Sequence, residues 1–273
     1  MQKIPLVSVD SLVSGVAKEF LEISSEQRLG ILLSLNSARS KPSILAKELD
    51  ATISEVFRNM ERLVAAQMII KDIDGFYQVT PYGKMICNQI TSFSFISNNK
   101  KYFSNHNFDT LPPKFIQRIG ALSGGKHIRG FTKVMECWQE IIDNSTQYVY
   151  GMVSEETPEI MVQIAKKAQN GVKINSVFIE STLVPKNRKK LIADLDIKKL
   201  IQDGTIERKM SKDLTVIVML NEKQACILFP LSGEVDLKEA FFGDDESFHE
   251  WCLDYFRFVW HESKYFEETK LVD

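Results

Sequence analysis

Residues 41–82, KPSILAKELDATISEVFRNMERLVAAQMIIKDIDGFYQVTPY, constrain the fold more than any other stretch of the chain. They read as two short helices followed by a hairpin. Ser43 is placed to cap a first helix that buries Leu45, Ala46 and Leu49. Asp50 and Ala51 form a short turn. Thr52 caps the second helix. Glu55 lies three residues on, where its carboxylate reaches back to the cap N–H as a capping box. Ile53, Val56, Phe57, Met60, Leu63 and Val64 recur at helical spacing and form one apolar stripe. The opposite face carries Ser54, Glu55, Arg58, Asn59 and Arg62. Residues 68–70 and 76–79 have strand character, and Asp72, Asp74 and Gly75 between them are residues of a tight hairpin turn.

Helix, turn, helix and hairpin in that order is the winged-helix arrangement. It suits duplex DNA because a helix fits the major groove and presents its exposed face to base edges. The preceding helix braces it, and the hairpin lies along neighbouring phosphates. Ser43, Ser54, Glu55, Arg58, Asn59, Arg62 and Lys71 are the candidate DNA-binding residues. Ser54, Arg58 and Asn59 are those expected to face bases. The same arrangement also serves subunit packing and protein docking.

The phrases LAKELDATISEVFRNMERL, MIIK and GFYQVTPYGK resemble the DNA-binding domain of ArsR- and MarR-type transcription regulators. Tyr77, Val79, Thr80 and Gly83 stand at that family's closing Y-x-L-T-x-x-G positions, with valine in place of leucine. The likeness covers residues 24–97. It implies double-stranded DNA as partner and a homodimer that reads two half-sites.

Two flanking helices are expected to supply the dimer surface. One spans residues 8–22, capped by Ser8 or Asp10, with Leu12, Val13, Val16 and Phe20 on one face. The other opens at Pro81 and carries Tyr82, Met85, Ile86, Ile90 and Phe93. Val13, Val16, Phe20, Ile86, Ile90 and Phe93 are the candidate dimer residues, although an apolar stripe is more often simply core. Between the first of these helices and residue 41, residues 24–37 read as a core helix capped by Ser24 or Ser25 that buries Leu29, Ile31, Leu32, Leu33 and Leu35.

Charge is distributed unevenly. Residues 1–98 hold ten Lys/Arg and ten Asp/Glu, residues 99–133 hold seven basic residues against Asp109 alone, and residues 134–273 are net acidic. A neutral head is a weak electrostatic footprint for DNA. It suffices if a dimer places two helices on one site, or if the basic segment also touches phosphate. Cys87, Cys137, Cys226 and Cys252 are scattered, without C-x-x-C or zinc-ligand spacing, and read as reduced, mostly buried thiols. No metal or cofactor is expected. No apolar run reaches the ~18 residues of a membrane span, and the first residues lack a secretory pattern, so the expected location is the cytoplasm.

Residues 98–113 are polar and turn-rich, and the glycines of LSGGK (residues 122–126) suggest a second flexible point. These features predict a head over residues 1–97, a basic linker over 98–130 and a second domain over 131–273. In the second domain helices are expected at 131–142, 158–170, 185–201 and 247–263. Strands are expected at 147–153, 172–179, 206–210, 214–220 and 225–229. The fold class that follows is an α+β winged-helix head followed by an α/β domain with a central mixed sheet.

In the order of its elements the second domain is similar to the effector half of archaeal regulators of the methanogenesis-regulator type. It is more distantly similar to the phospholipase-D-like effector domain of TrmB-type regulators. This implies a sensor for a small-molecule effector, with ligand residues unassigned. Phospholipase D chemistry needs H-x-K, and none of His106, His127, His249 or His261 has a lysine two residues on. His249 and His261 read as packing or surface residues of the last helix. Glu155–Glu156 and Asp244–Glu246 read as solvated or capping carboxylates. The expectation is therefore a non-enzymatic DNA-binding transcription regulator. The alternatives are an enzyme whose α/β domain is catalytic and whose head docks it, and a protein–protein adaptor of the transcription machinery.

Overall fold

The computed structural model describes residues 9–212 and 214–272. The chain divides into two compact units between Thr91 and Ser92, inside the helix that opens at Pro81. Each unit has its own core.

The first unit begins with α1 (Val9–Ile23) and α2 (Glu26–Ser37). The expected cap of α1 at Ser8 or Asp10 falls outside the described residues and side chains. Ser25 caps α2 by accepting from the N–H of Arg28. Next come α3 (Pro42–Glu48) and α4 (Ile53–Ala65). Ser43 does not cap α3. Lys41 holds that position and Pro42 opens the helix, because proline has no N–H to satisfy at the first turn. At α4 the capping box forms in full: Thr52 accepts from Glu55 N–H, and Glu55 accepts from Thr52 N–H at 3.0 Å. The hairpin strands β1 (Ile69–Lys71) and β2 (Tyr77–Val79) pair antiparallel. In their turn Asp72 Oδ1 accepts from the N–H groups of Asp74 and Phe76, and Gly75 takes φ +81°. Ser40 bridges to Tyr77 on the strand's other side.

The core of this unit takes only part of each predicted stripe. From α4 it buries Val56, Met60 and Leu63, spaced four and three residues apart. Ile53, Phe57 and Val64 are 57%, 41% and 40% exposed. Leu33 of α2 likewise faces outward. The reason is geometric: two helices and a two-stranded hairpin cover a narrow sector of a helix, and the flanks of a wide stripe fall outside it.

Helix α5 (Pro81–Asn98) begins where Thr80 receives the N–H of Gly83 on its hydroxyl and donates to Gln67 O at 2.7 Å. A Cβ at Gly83 would stand 2.1 Å from the carbonyl oxygen of Met68. Only glycine lets α5 approach β1 so closely.

The second unit follows with α6 (Lys100–Phe103), α7 (Pro113–Gln117), a 3-10 helix (Ile119–Gly124) and β3 (Lys126–Arg129). It continues through α8 (Phe131–Asn144), β4 (Tyr148–Glu155), α9 (Pro158–Gln169), β5 (Lys173–Leu183), α10 (Arg188–Asp194), α11 (Ile197–Gln202) and β6 (Ile206–Ser211). It ends with β7 (Ile217–Leu220), β8 (Ala225–Leu228), β9 (Glu239–Gly243), α12 (Glu246–Glu262), β10 (Lys264–Tyr265) and a second 3-10 turn, Glu268–Lys270. One eight-stranded mixed sheet has the order β10-β6-β5-β4-β7-β8-β9-β3, with β4, β5 and β6 parallel to their neighbours in that trio. This is the expected central mixed sheet, with β3, β9 and β10 unanticipated.

The basic stretch 98–130 is not a linker. Tyr102, Leu111, Phe115, Ile119 and Leu122 are buried in the second core, and β3 forms an edge of the sheet. Its lysines and asparagines gave it a polar composition, but apolar anchors recur among them at packing intervals. The glycine pair is no hinge either. A Cβ at Gly124 would meet the Asp245 carboxylate at 2.3 Å, and one at Gly125 would meet the Phe248 ring at 2.3 Å. The pair is where the 3-10 helix closes on the start of α12.

Candidate nucleic-acid interface

Helix α4 presents a face whose polar residues split into two groups. Ser54 and Arg58 are exposed. Among the described residues Arg58 has no hydrogen bond or ion pair, and its charge is a minor influence on Glu55. Asn59 and Arg62 are committed elsewhere. The Asn59 amide donates to Gln27 Oε1 at 2.8 Å and to Glu55 O at 3.0 Å, and it accepts from Arg28 Nη1. It braces α4 against α2, a role the sequence did not suggest when it grouped Asn59 with Ser54 and Arg58. Arg62 grips both carboxylate oxygens of Glu22, at 2.7 and 3.1 Å. Glu55 is tied into its capping box, and the Thr52 hydroxyl and N–H hold its carboxyl below the usual carboxylate range. Ser43 is exposed on α3.

Sequence reasoning passed over Arg28. It is buried, and it donates from Nε to Glu22 O and from Nη2 to Leu21 O, closing the end of α1. Sequence reasoning also passed over the cations around the hairpin. Arg39 and Lys41 stand over the Phe76 ring, at 4.7 and 4.6 Å from its centroid. Arg39 pairs with Asp72 at 3.1 Å. Lys71, the expected hairpin contact, lies exposed over Tyr77. A helical spacing rule does not see Arg39 and Lys41, because they precede α3 and meet Phe76 only through the Ser40–Tyr77 bridge. Cation–π seating of this kind holds flexible cations at a surface without neutralising them. Ile53 and Phe57, expected in the core, stand exposed on the helix that carries Ser54 and Arg58. Apolar side chains there suit contact with a thymine methyl group.

The expected dimer residues divide as well. On α1, Val13, Val16 and Phe20 are 57%, 44% and 55% exposed. On α5, Phe93 is 69% exposed, and so is Met85. Ile86 and Ile90 instead pack half-buried against the head's own core. They are core edge, because α5 turns that side toward α2 and the hairpin.

In the second unit every histidine but His261 has a ring partner. His106 lies between Tyr102 O and the Asp236 carboxylate, both at 3.0 Å. His127 pairs with Glu239 and His249 with Asn221 O. Asp245 caps α12, as expected of that acidic run, but Glu156 is ion-paired to buried Arg188. Cys87, Cys226 and Cys252 are buried and Cys137 is half-buried; burial pushes all four thiols up. No helix among the described residues is long and apolar enough to cross a membrane.

No known protein-family model matches the sequence, and no curated protein does. Among solved structures the chain is similar to TrmBL2, an archaeal chromatin protein with a novel mode of DNA binding. The identity is 11% and the TM-score 0.40, over 95% of this chain and 100% of that one. It is also similar to Nuc from Salmonella typhimurium, a phospholipase D family member, at 14% identity and TM-score 0.38 over 53% of this chain and 98% of that one. NucT from Helicobacter pylori gives 14% and 0.39 over 52% and 98%. Likenesses of this strength assign neither activity nor partner to this chain.

Proposed function

We propose that the protein is a non-enzymatic, cytoplasmic transcription regulator of winged-helix type. It binds double-stranded DNA as a homodimer, and its second unit senses a small molecule. The observation that carries this reading is α4: a capped helix with Arg58 and Ser54 exposed and unpaired on its outer face. In the same unit the hairpin carries Lys71, and Arg39 and Lys41, which precede α3, stand over its Phe76 ring; we assign these cations to phosphate contacts. A guanidinium left without a protein partner is suited to bidentate recognition of a guanine edge, and lysines at a hairpin to the backbone beside it. The neutral head favours two heads per site, since each contributes little electrostatic attraction of its own.

The test is enrichment of fragments of the source genome by the purified protein, followed by footprinting. A protected site with two related half-sites supports the reading, and protection without sequence preference removes the regulator. The dimer is read separately. Phe20→Glu, at an exposed position, is expected to give a folded monomer by light scattering and to lose the two-half-site complex. An unchanged dimer removes α1 from the interface.

A further inference from the structure

The second unit contains a cavity that DNA binding does not use. Helices α9, α10 and α11 lie on one face of β4, β5 and β6, and between helices and sheet is a space of about 80 Å³. Its wall is mostly aliphatic, including Val149, Ile164, Ile174 and Ile206. Four charged residues also line it: Glu155, Glu156, Arg188 and Arg208. Glu155 is exposed to water. The other three are not: the side chains of Arg188, Arg208 and Glu156 are 5%, 18% and 14% exposed.

These buried cations need counter-ions. Glu156 supplies one, bonded to Arg188 Nε. The second comes from far along the chain. Glu268 places one carboxylate oxygen on Arg188 Nη1 and the other 3.7 Å from Arg208 Nη1. Arg208 also stacks on Phe266, 4.0 Å from the ring centroid. Burial and the neighbouring Arg188 lower the Arg208 pKa, so this guanidinium gains from any anion placed beside it. Glu268 itself is 49% exposed on a 3-10 turn near the chain's end. Thus one fixed and one exposed carboxylate serve a buried and a half-buried guanidinium. The pair is already seated as a carboxylate receptor, at an aliphatic space that no side chain among the described residues fills. A largely apolar wall with a few convergent polar groups is the general form of a small-molecule site. Guanidiniums are the side chains best matched to a carboxylate.

We propose that this cavity binds a short-chain aliphatic carboxylate. Its hydrocarbon part fills the aliphatic space, and its carboxylate replaces that of Glu268 on Arg188 and Arg208. The exchange keeps the local charge constant, which is why it is feasible in a buried place. It releases the Glu268 side chain, while the turn Glu268–Lys270 stays anchored by Lys270 on Glu180 at 2.9 Å and by Val272 beside Thr182 and Val184. The site deepens the sensing half of the proposed function. It rests on that reading only for what binding does to DNA affinity.

The experiment is calorimetric titration of the full chain, without DNA, with propanoate, butanoate and hexanoate. The corresponding alcohols and inorganic phosphate serve as controls. Carboxylates are expected to bind and alcohols are not. Glu268→Gln removes the internal competitor from an exposed turn. It is expected to tighten butanoate about tenfold, as affinity recovers the fraction of sites that Glu268 occupies. Gly151→Val fills the cavity from β4 and leaves the arginines in place. A Cβ there is in ordinary contact with Met219 side-chain atoms, at 3.6 and 3.9 Å, and the circular dichroism spectrum reads whether the two methyl groups beyond it are accommodated. This variant is expected to weaken butanoate at least tenfold with an unchanged circular dichroism spectrum. Four results overturn the proposal: no carboxylate binding even to Glu268→Gln, alcohols binding as well as carboxylates, phosphate binding with no preference for a hydrocarbon chain, or an affinity indifferent to Glu268→Gln. None of these depends on whether the protein binds DNA.

Discussion

Arg28 in the first unit and Arg188 in the second are both buried, yet their partners differ in kind. Arg28 bonds the carbonyls of Leu21 and Glu22 and the amide of Asn59, and its one carboxylate neighbour, Glu22 at 3.5 Å from Nε, sits on α1 itself and is also held by Arg62. Those carbonyls belong to the end of α1, so no ligand can take their place unless the helix end opens. Arg188 bonds two carboxylates, and one of them rides on an exposed turn. The difference teaches that burial of a cation does not mark a binding site. What marks one is a partner that can leave. The first unit applies the same rule on its surface. Asn59 and Arg62 are tied down and serve the fold, while Arg58 is free and available to a partner.

The sharpest test of this contrast is Arg188→Met, which leaves Glu156 buried without a counter-ion. It is expected to cost about 3–5 kcal/mol of unfolding free energy in a denaturant titration, and Arg188→Met with Glu156→Gln is expected to recover part of that. Arg28→Met leaves two carbonyls near the end of α1 and a Glu22 carboxylate that Arg62 still pairs, so a smaller loss of about 1.5–3 kcal/mol is expected, with fraying of α1 seen by hydrogen exchange. A larger loss at Arg28 than at Arg188 would break the comparison.

The surface pair comes next. Arg58→Ala is expected to weaken specific DNA binding by about 1–3 kcal/mol while leaving the melting temperature unchanged. Asn59→Ala is expected to do the reverse, lowering stability through its lost bonds to Gln27 and Glu55. If the two variants exchange behaviours, the division of the α4 face is wrong.

The smallest expected effect is that of pH at Glu55. Its folded pKa lies below the unfolded value of 4.5 because Thr52 hydrogen-bonds the carboxylate. The cap therefore stabilises the folded state above that pH, and its contribution is lost as pH falls through the lowered value. Glu55→Gln is expected to remove this part of the acid dependence, and an identical acid profile would mean that the box adds nothing measurable.

Local chemistry was legible where its partners are close in the chain. The Thr52–Glu55 box, the Asp72–Gly75 turn and the Ser25 cap all form from residues a few positions apart. The helix–helix–hairpin order and most of the second unit's strands follow from periodicity of the same short range. Legibility failed where a partner is distant. The stripe on α4 showed six apolar positions, but only packing against α2, α3 and the hairpin decided that Ile53, Phe57 and Val64 stay outside. Residues 98–130 looked like a linker because composition averages over the very anchors, Tyr102, Phe115 and Leu122, that bury them. Strand β3 is short and pairs only with β9, and His127 reaches Glu239 across 112 positions of sequence.

By itself, then, the sequence determined most of the elements, several of their caps and turns, and the set of charged residues available to a site. Those are set by interactions within a turn or two of the chain, which backbone propensity and spacing encode directly. Only the tertiary structure decided which charges are spent and which are free. Asn59 is consumed by Gln27, 32 residues away, and Glu156 and Glu268 converge on Arg188 from 32 residues before and 80 after. Such pairings depend on where the sheet and helices bring distant segments. A charge shows its role only once its neighbours in space are known.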